Sequence, residues 1–322
     1  MKRLYTRLAF AALTLSAPAA QAIGSFSFGV FGDTPYNQFE RLHLPRLIAE
    51  MDAEPLAFVV HDGDIKNGGE RCDDALFQDR LAVFQGSMHP FVFVPGDNEW
   101  TDCHRPSNGR FDPLERLDKL RSLFFPEGGR RSLGQSTIPL ETQADGAEFP
   151  AYKENQRWMA GPVIFVSVNV TGSANNFGPD PTPGVEFLKR GKAVHAWLEE
   201  SFARAREEKA EGLVIVMQAN PDIEDFSAGR RARGYQEVMT QLLTETRRFA
   251  GQVLLVHGDS HLHRIDQPLR DPADGSPVEN FTRLETYGSP FMGWVRVTVE
   301  PGRQPLFRYQ SRPYTPHQEG TQ

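Results

Sequence analysis

The chain has 322 residues, with 42 acidic and 35 basic side chains, a net charge of −7 and only two cysteines. A global field of that sign excludes a protein drawn to nucleic acid or anionic membranes by its overall charge, although bound cations can reverse the sign inside a pocket. The length suffices for one large α/β domain with a full core.

The first 22 residues read as an export signal. Lys2, Arg3 and Arg7 form a basic start, residues 8–15 are apolar, and Ala20-Gln21-Ala22 is a small-x-small cleavage pattern. The apolar run is too short to span a bilayer. Removal before Ile23 leaves 32 basic against 42 acidic side chains, a charge of −10, and no membrane anchor. The expected location is therefore periplasmic or extracellular. The expected domain covers residues 23–313, and residues 314–322 are expected to form a disordered tail.

Along the chain, apolar segments 26–32, 56–63 and 91–96 each run into an aspartate: Asp33, Asp64 and Asp97. The spacings are 31 and 33 residues, about one βα unit each. Between them, Phe39, Leu42, Leu47 and Met51 fall at helical spacing, with Pro45 expected to kink that helix. Leu76, Phe77, Leu81 and Phe84 do likewise. Residues 101–152 are polar and irregular, and a loop of that length is usually functional or an insertion. They read as a cap near the site, with a short helix around 113–123. Then come strand 163–168, a loop over 169–183 containing Asn175-Asn176, helix 185–209, strand 213–217, helix 232–249 and strand 253–256. Alternating segments near 281–287 and 293–299 suggest an antiparallel edge.

A short apolar strand ending in Gly-Asp puts a carboxylate at its C-terminal tip. In an open parallel sheet the tips share one edge, where ligands bind. Crowded carboxylates repel unless a cation holds them, so the pattern predicts a metal site. The strand over 253–256 leads into His257, Gly258, Asp259, Ser260, His261, Leu262 and His263, and three histidines in seven residues argue against ordinary core packing. Cys72 and Cys103 each lie a few residues past Asp64 and Asp97. Loops after adjacent parallel strands lie side by side, so in an exported protein the pair is expected to form a disulfide, with two free thiols as the alternative.

In order and spacing, these segments resemble the calcineurin-like metallophosphoesterases. That family carries Asp-x-His, Gly-Asp-x-x, Gly-Asn-His-Asp/Glu, a lone His and Gly-His-x-His. The matching segments are Gly32-Asp33-Thr34-Pro35-Tyr36, Gly63-Asp64-Ile65-Lys66-Asn67, Gly96-Asp97-Asn98-Glu99-Trp100, Gln218-Ala219-Asn220-Pro221 and Gly258-Asp259-Ser260-His261. The resemblance spans residues 26–263 and is that of a divergent, exported, bacterial-type member. It implies a four-layer α/β/β/α sandwich of two mixed β-sheets with helices on both outer faces. It also implies a hydrolase of phosphomonoesters or phosphodiesters that uses two divalent or mixed-valence metal ions. The implied ligands are Asp33, Asp64 (bridging both ions), Asp97, Asp259, His261 and His263. Their oxygen-rich chemistry favours Mn or Fe, with Mg or Ca also suited and Zn reachable through the histidines.

Three departures from the family pattern matter. Pro35 stands where a histidine ligand belongs; Tyr36 either replaces it as a phenolate or packs in the cleft. Asn98 replaces the histidine that protonates the leaving group, and an amide is no acid near neutral pH. The catalytic acid is therefore expected elsewhere, at His257 first, with His61 and His104 as further candidates. Gln218 or Asn220 stands in place of the lone histidine. Lys66, Asn67, His104 and Arg105 follow the aspartate motifs and read either as substrate contacts or as ordinary polar surface. A member that has lost catalysis and binds a metal or an anion is the alternative function.

Overall fold

The computed structural model describes residues 24–179 and 181–316. The expected export signal, residues 1–22, and residues 317–322 of the expected tail lie outside the described residues. Twelve strands among the described residues form two mixed sheets. The first contains β1 (Phe26–Phe31), β2 (Val59–His61), β3 (Phe91–Phe93), β11 (Gly293–Val299) and β12 (Phe307–Pro313), in the order β12-β11-β1-β2-β3. The second contains β4 (Glu141–Thr142), β5 (Gln156–Ala160), β6 (Val163–Ser167), β7 (Gly212–Val216), β8 (Gln252–His257), β9 (Arg264–Asp266) and β10 (Phe281–Glu285), in the order β4-β5-β6-β7-β8-β10-β9. Strands β1, β2 and β3 are parallel, as are β6, β7, β8 and β10.

Alternating side chains sort the core into layers. Phe28, Val30, Val60, Val92 and Val94 of the first sheet meet Phe165, Val214, Val216, Leu254 and Val256 of the second. The intervening residues face outward: Phe31, Val59, Phe91 and Phe93 pack under helices α1 (Gln38–Asp52), α2 (Asp74–Gln85) and α3 (Pro113–Phe124). On the far side Leu213, Ile215, Val253 and Leu255 pack under α5 (Val185–Glu207) and α7 (Gln236–Arg248). The result is the four-layer sandwich. Burying both faces of the parallel strands explains why they are continuously apolar in sequence. Two short elements complete the set: the helix α6 (Ile223–Ser227) and the single turn α4 (Gly172–Asn175), whose residues from Ser173 on are left-handed. No helix among the described residues is long and apolar enough to cross a membrane.

Several expectations are corrected. The alternating strand β11 is no edge: it lies between β12 and β1, antiparallel to both, and in a different sheet from β10. Helix α1 runs through Pro45 as one element, and Asn37 caps it by accepting from the Glu40 N–H. Tyr314 is not part of a loose tail. Its N–H donates to the Met292 carbonyl, and its hydroxyl lies 2.7 Å from His43 Nδ1.

Candidate active site

The C-terminal tips of β1, β2, β3, β7 and β8 converge on one edge of the sandwich. The two sheets are tied together there by the Asp259 N–H, which donates to Asp33 Oδ2 at 2.9 Å, and by the Ser289 N–H, which donates to the Asp33 carbonyl. Asp33, Asp64, Asp259 and His261 all take left-handed backbone conformations, with φ of 47°, 59°, 74° and 59°. Non-glycine residues in that region cost about 1 kcal/mol or more each and persist where the surroundings over-determine them, commonly at functional sites. Glycines make room for the carboxylates. A Cβ at Gly96 would lie 2.1 Å from Asp64 Oδ1, and one at Gly258 would lie 2.0 Å from Asp33 Oδ2. At Gly172 a Cβ would meet both Asp259 Oδ1 and Asp97 Oδ1, at 2.6 and 2.8 Å.

On the first sheet's side, the Tyr36 hydroxyl donates to Asp64 Oδ2 at 2.6 Å and stands 3.5 Å from Asp33 Oδ1. The Asn98 amide donates to Asp64 Oδ2 and to the Tyr36 hydroxyl, and the Asn98 N–H donates to Asp64 Oδ1. Burial and the Asp64 charge hold the Tyr36 phenol well above its usual range, and as placed its hydroxyl donates to Asp64. Beneath this layer Glu99, missed in the sequence reading, is fully buried and accepts from the N–H groups of Gly96, Asp64 and Ile65. Its position after Asp97-Asn98 was the available signal. Asp62 is also buried and accepts from Thr286 at 3.0 Å.

The second sheet's side is looser. Asp259 Oδ2 accepts from the Asn220 N–H at 3.1 Å, and Asn220 Oδ1 is buried without a hydrogen-bond partner. Gln218 Oε1 accepts from the Gly172 N–H at 2.6 Å. His261 Nε2 lies 3.6 Å from Asp33 Oδ1, while its Nδ1 lies 2.7 Å from the Ser289 carbonyl, as a donor to it. The ring stands edge-on to Tyr36. His263 faces away. It stacks on Tyr287 at 4.0 Å between centroids, and its two nitrogens bond the Glu285 carbonyl and the Ser311 hydroxyl. His257 does not reach the rim. It is fully buried, bonded through Nδ1 to the Gly258 carbonyl, and burial drops its pKa to about 4. A neutral, enclosed imidazole is no proton donor to a ligand in the cleft. His61 is likewise buried, with its pKa dropped to about 3.

The remaining expected contacts divide. Lys66 is fully buried, with its ammonium on the Asn67 carbonyl, and burial lowers its pKa. Asn67 donates to the Tyr36 carbonyl at 2.7 Å, pinning that residue instead of facing a ligand. His104 is exposed, with Nδ1 on the Thr101 carbonyl. Arg105 stands at the rim, paired with Asp102 at 2.6 Å. Cys72 and Cys103 form the expected disulfide, and both sulfurs pack against the Asn98 carbonyl oxygen, at 3.6 and 3.7 Å. Ser173 and Asp102 also join the site and had gone unnoticed. The Ser173 hydroxyl lies 2.7 Å from Asp97 Oδ2 and 3.1 Å from Asp102 Oδ1.

Crowding dominates the electrostatics. Burial, then Asp62 and Asp259, raise the Asp33 pKa well above the carboxylate range. Burial, then Asp97 and Glu99, do the same to Asp64. Asp259 is pushed up to about 7 by burial and Asp97. Among the described residues no group of three or more His, Cys, Asp or Glu side chains is arranged to hold a metal ion as placed. The donors present nevertheless fit cations in their chemistry: four carboxylates from both sheets, one imidazole, and an unpartnered buried amide oxygen on Asn220. That hard, oxygen-rich set suits Mn, Fe, Mg or Ca.

No protein-family profile matches the chain, and no curated protein matches it in sequence. Among solved structures it is similar to a dimetal phosphatase from Danio rerio, at 13% identity and a TM-score of 0.55, over 89% of this chain and 96% of that one. It is also similar to PhoD, at 14% identity and a TM-score of 0.52, over 92% of this chain and 70% of that one. These likenesses show a metallophosphoesterase-like fold.

Proposed function

We propose that the chain is an exported, metal-dependent hydrolase of phosphoesters. The observation that carries this reading is the convergence of Asp33, Asp64, Asp97 and Asp259 from two sheets on one edge, with glycines at the points where a Cβ would strike their oxygens. Desolvated carboxylates in such number are costly without a balancing charge. Asp33, Asp64, Asp97 and Asp259, with His261 and the Asn220 carbonyl oxygen, would hold two cations. Those cations would supply Lewis-acid polarisation of a phosphoryl oxygen and a water of lowered pKa.

The chain's own residues account for the rest. Glu99 fixes the turn that carries Asp64, and Asn67 fixes the backbone of Tyr36. Tyr36 and Asn98 present hydroxyl and amide donors beside Asp64, where phosphoryl oxygens would be oriented. The Cys72–Cys103 bridge holds the loop bearing Asn98. Export is supported by the composition of the first 22 residues and by this disulfide. A small phosphorylated compound is the proposed substrate.

A second reading, a metal- or anion-binding protein without turnover, is favoured by one observation. Asn98 and Tyr36 both bond Asp64, and His257, the first candidate for the displaced acid, is sealed in the interior. Metal analysis of the purified protein, together with a panel of aryl and alkyl phosphoesters, separates the two. Bound metal with turnover supports the hydrolase, bound metal without turnover supports the binding protein, and a metal-free, inert protein refutes the hydrolase and leaves anion binding alone of the second reading.

A further inference from the structure

One segment near the site is built in an unusual way. Ser173, Ala174, Asn175 and Asn176 have φ of 52°, 52°, 54° and 53°, four consecutive non-glycine residues in the left-handed region. Left-handed residues ordinarily occur singly. A dedicated framework holds this run. Arg190, 1% exposed, donates to the carbonyls of Asn169 and Asn175, both at 2.8 Å, and to the Asn175 side chain. Asn175 Nδ2 donates to the Gly234 carbonyl at 3.1 Å. A Cβ on Gly234 would lie 2.1 Å from the Ala174 carbonyl oxygen, so a glycine is required for the turn to close. The Arg190 guanidinium also lies over the Trp100 ring at 5.3 Å, which ties the turn to the loop after Asp97.

The product of this framework is the placement of Ser173. Its hydroxyl lies on Asp97 and Asp102 and 3.4 Å from Arg105 Nη2. Asp102, 4% exposed, fixes the Arg105 guanidinium, whose side chain stays 44% exposed at the cleft mouth. Beside a carboxylate cluster that would be neutralised by cations, the guanidinium, held by Asp102 and by the Ser173 hydroxyl that donates to the carboxylates, offers its remaining N–H groups to the terminal oxygens of a phosphoryl group.

We propose that Arg105, positioned by Asp102 and Ser173, clamps the second negative charge of a phosphomonoester, so that the site selects monoesters over diesters. The inference rests on the phosphoester-hydrolase reading above. A monoester carries that second charge near neutral pH and a diester does not. The left-handed turn positions the hydroxyl, and Asp102 positions the guanidinium.

Isothermal titration of the full chain in saturating Mn2+ tests this, with orthophosphate and dimethyl phosphate as probes. Arg105→Ala is expected to weaken orthophosphate about 30-fold and Ser173→Ala about tenfold, with dimethyl phosphate weakened less than about threefold by either. Arg105→Lys, which keeps the charge but not the fork, recovers part of the loss and guards against a folding defect in the alanine variant. The ratio of kcat/KM for 4-nitrophenyl phosphate to that for its bis-aryl diester should fall in parallel. Equal weakening of both probes, unchanged orthophosphate affinity in the variants, or no orthophosphate binding by the wild type overturns the clamp. Arg105-dependent orthophosphate binding in a protein that turns over neither ester supports the clamp and overturns the hydrolase reading alone.

Discussion

The two sheets build one site by different means. At the first sheet's edge, Asp33, Asp64 and Asp97 are 0%, 2% and 7% exposed, and Glu99, Asp62 and a disulfide brace them from below and beside. At the second sheet's edge, Asp259 and His261 sit on a half-buried turn; Asp259 accepts from the Asn220 N–H, and the neighbouring Gln218 accepts from the Gly172 N–H. The first half is a buried, cross-braced wall. The second is a turn with left-handed residues leaning against that wall through the Asp259 N–H to Asp33 bond and the His261 ring beside Asp33 and Tyr36. A side chain in the wall is thus replaced at the expense of many partners, and one in the turn at the expense of few.

The sharpest way to break this comparison is to remove one charge from each half. Asp64→Asn should lower phosphoesterase activity about a thousandfold or more and strip bound metal, since Asp64 contacts Tyr36, Asn98 and the Glu99-capped turn. Asp259→Asn should cost about ten- to a hundredfold and retain part of the metal. Metal content after gel filtration and steady-state rates would be measured together. Equal losses would mean the halves are equivalent, and an unaffected Asp64→Asn would remove the site from this edge altogether.

The same division explains what was legible in the sequence. Asp33, Asp64 and Asp97 stood out because each follows a glycine at the end of an apolar strand, and burial on both faces keeps those strands apolar. The disulfide was legible because its cysteines follow adjacent tips. In the turn the rule of alternation failed. His261 and His263 would share a face in an extended strand, but Asp259 and His261 are left-handed, so the chain turns and His263 lands on Tyr287. Strand β11 alternates like an edge strand yet lies inside the sheet, because its half-buried residues Arg296 and Thr298 bond Glu54 and Ser27 instead of facing open water. Ser173 gave little signal beyond Asn175-Asn176, residues that tolerate positive φ, and its role exists only through the distant Arg190 and Gly234.

Removing the brace tests the wall more gently. With Cys72 and Cys103 both changed to Ser, the loss of a crosslink spanning a sequence separation of 31 residues should lower stability by about 3–4 kcal/mol at most. The urea midpoint would show this. Activity should fall as well, because the sulfurs pack on the Asn98 carbonyl. Loss of stability with unchanged kcat/KM would show that the bridge braces the fold and not the site.

Acid should open the wall next. His61 accepts from the Gly63 N–H at Nδ1 and lies 3.2 Å from the Thr34 carbonyl at Nε2, and burial depresses its pKa to about 3. The unfolded chain binds this proton near pH 6.5 and the folded chain does not, so its contribution is complete above 6.5 and is lost as pH falls toward 3. The slope from this group is at most about 1.4 kcal/mol per pH unit. His61→Gln should flatten the decline of stability between pH 6 and 4, whatever its effect at neutral pH. An unchanged slope would mean that other groups carry the acid response.

The smallest effect belongs to the outer side of the turn. His263 touches Tyr287, the Glu285 carbonyl and Ser311, and none of the four clustered aspartates. His263→Ala should therefore leave metal content and kcat/KM within about twofold of the wild type, while costing about 1 kcal/mol for the lost stacking and hydrogen bonds. His261→Ala, two residues away, should lower kcat/KM about tenfold or more, because its ring lies between Tyr36 and Asp33. The contrast between these neighbours depends only on which way the left-handed turn sends each ring. If both variants lose metal equally, the turn is rearranged when cations bind, and His263 comes closer to the wall than its stacking on Tyr287 implies.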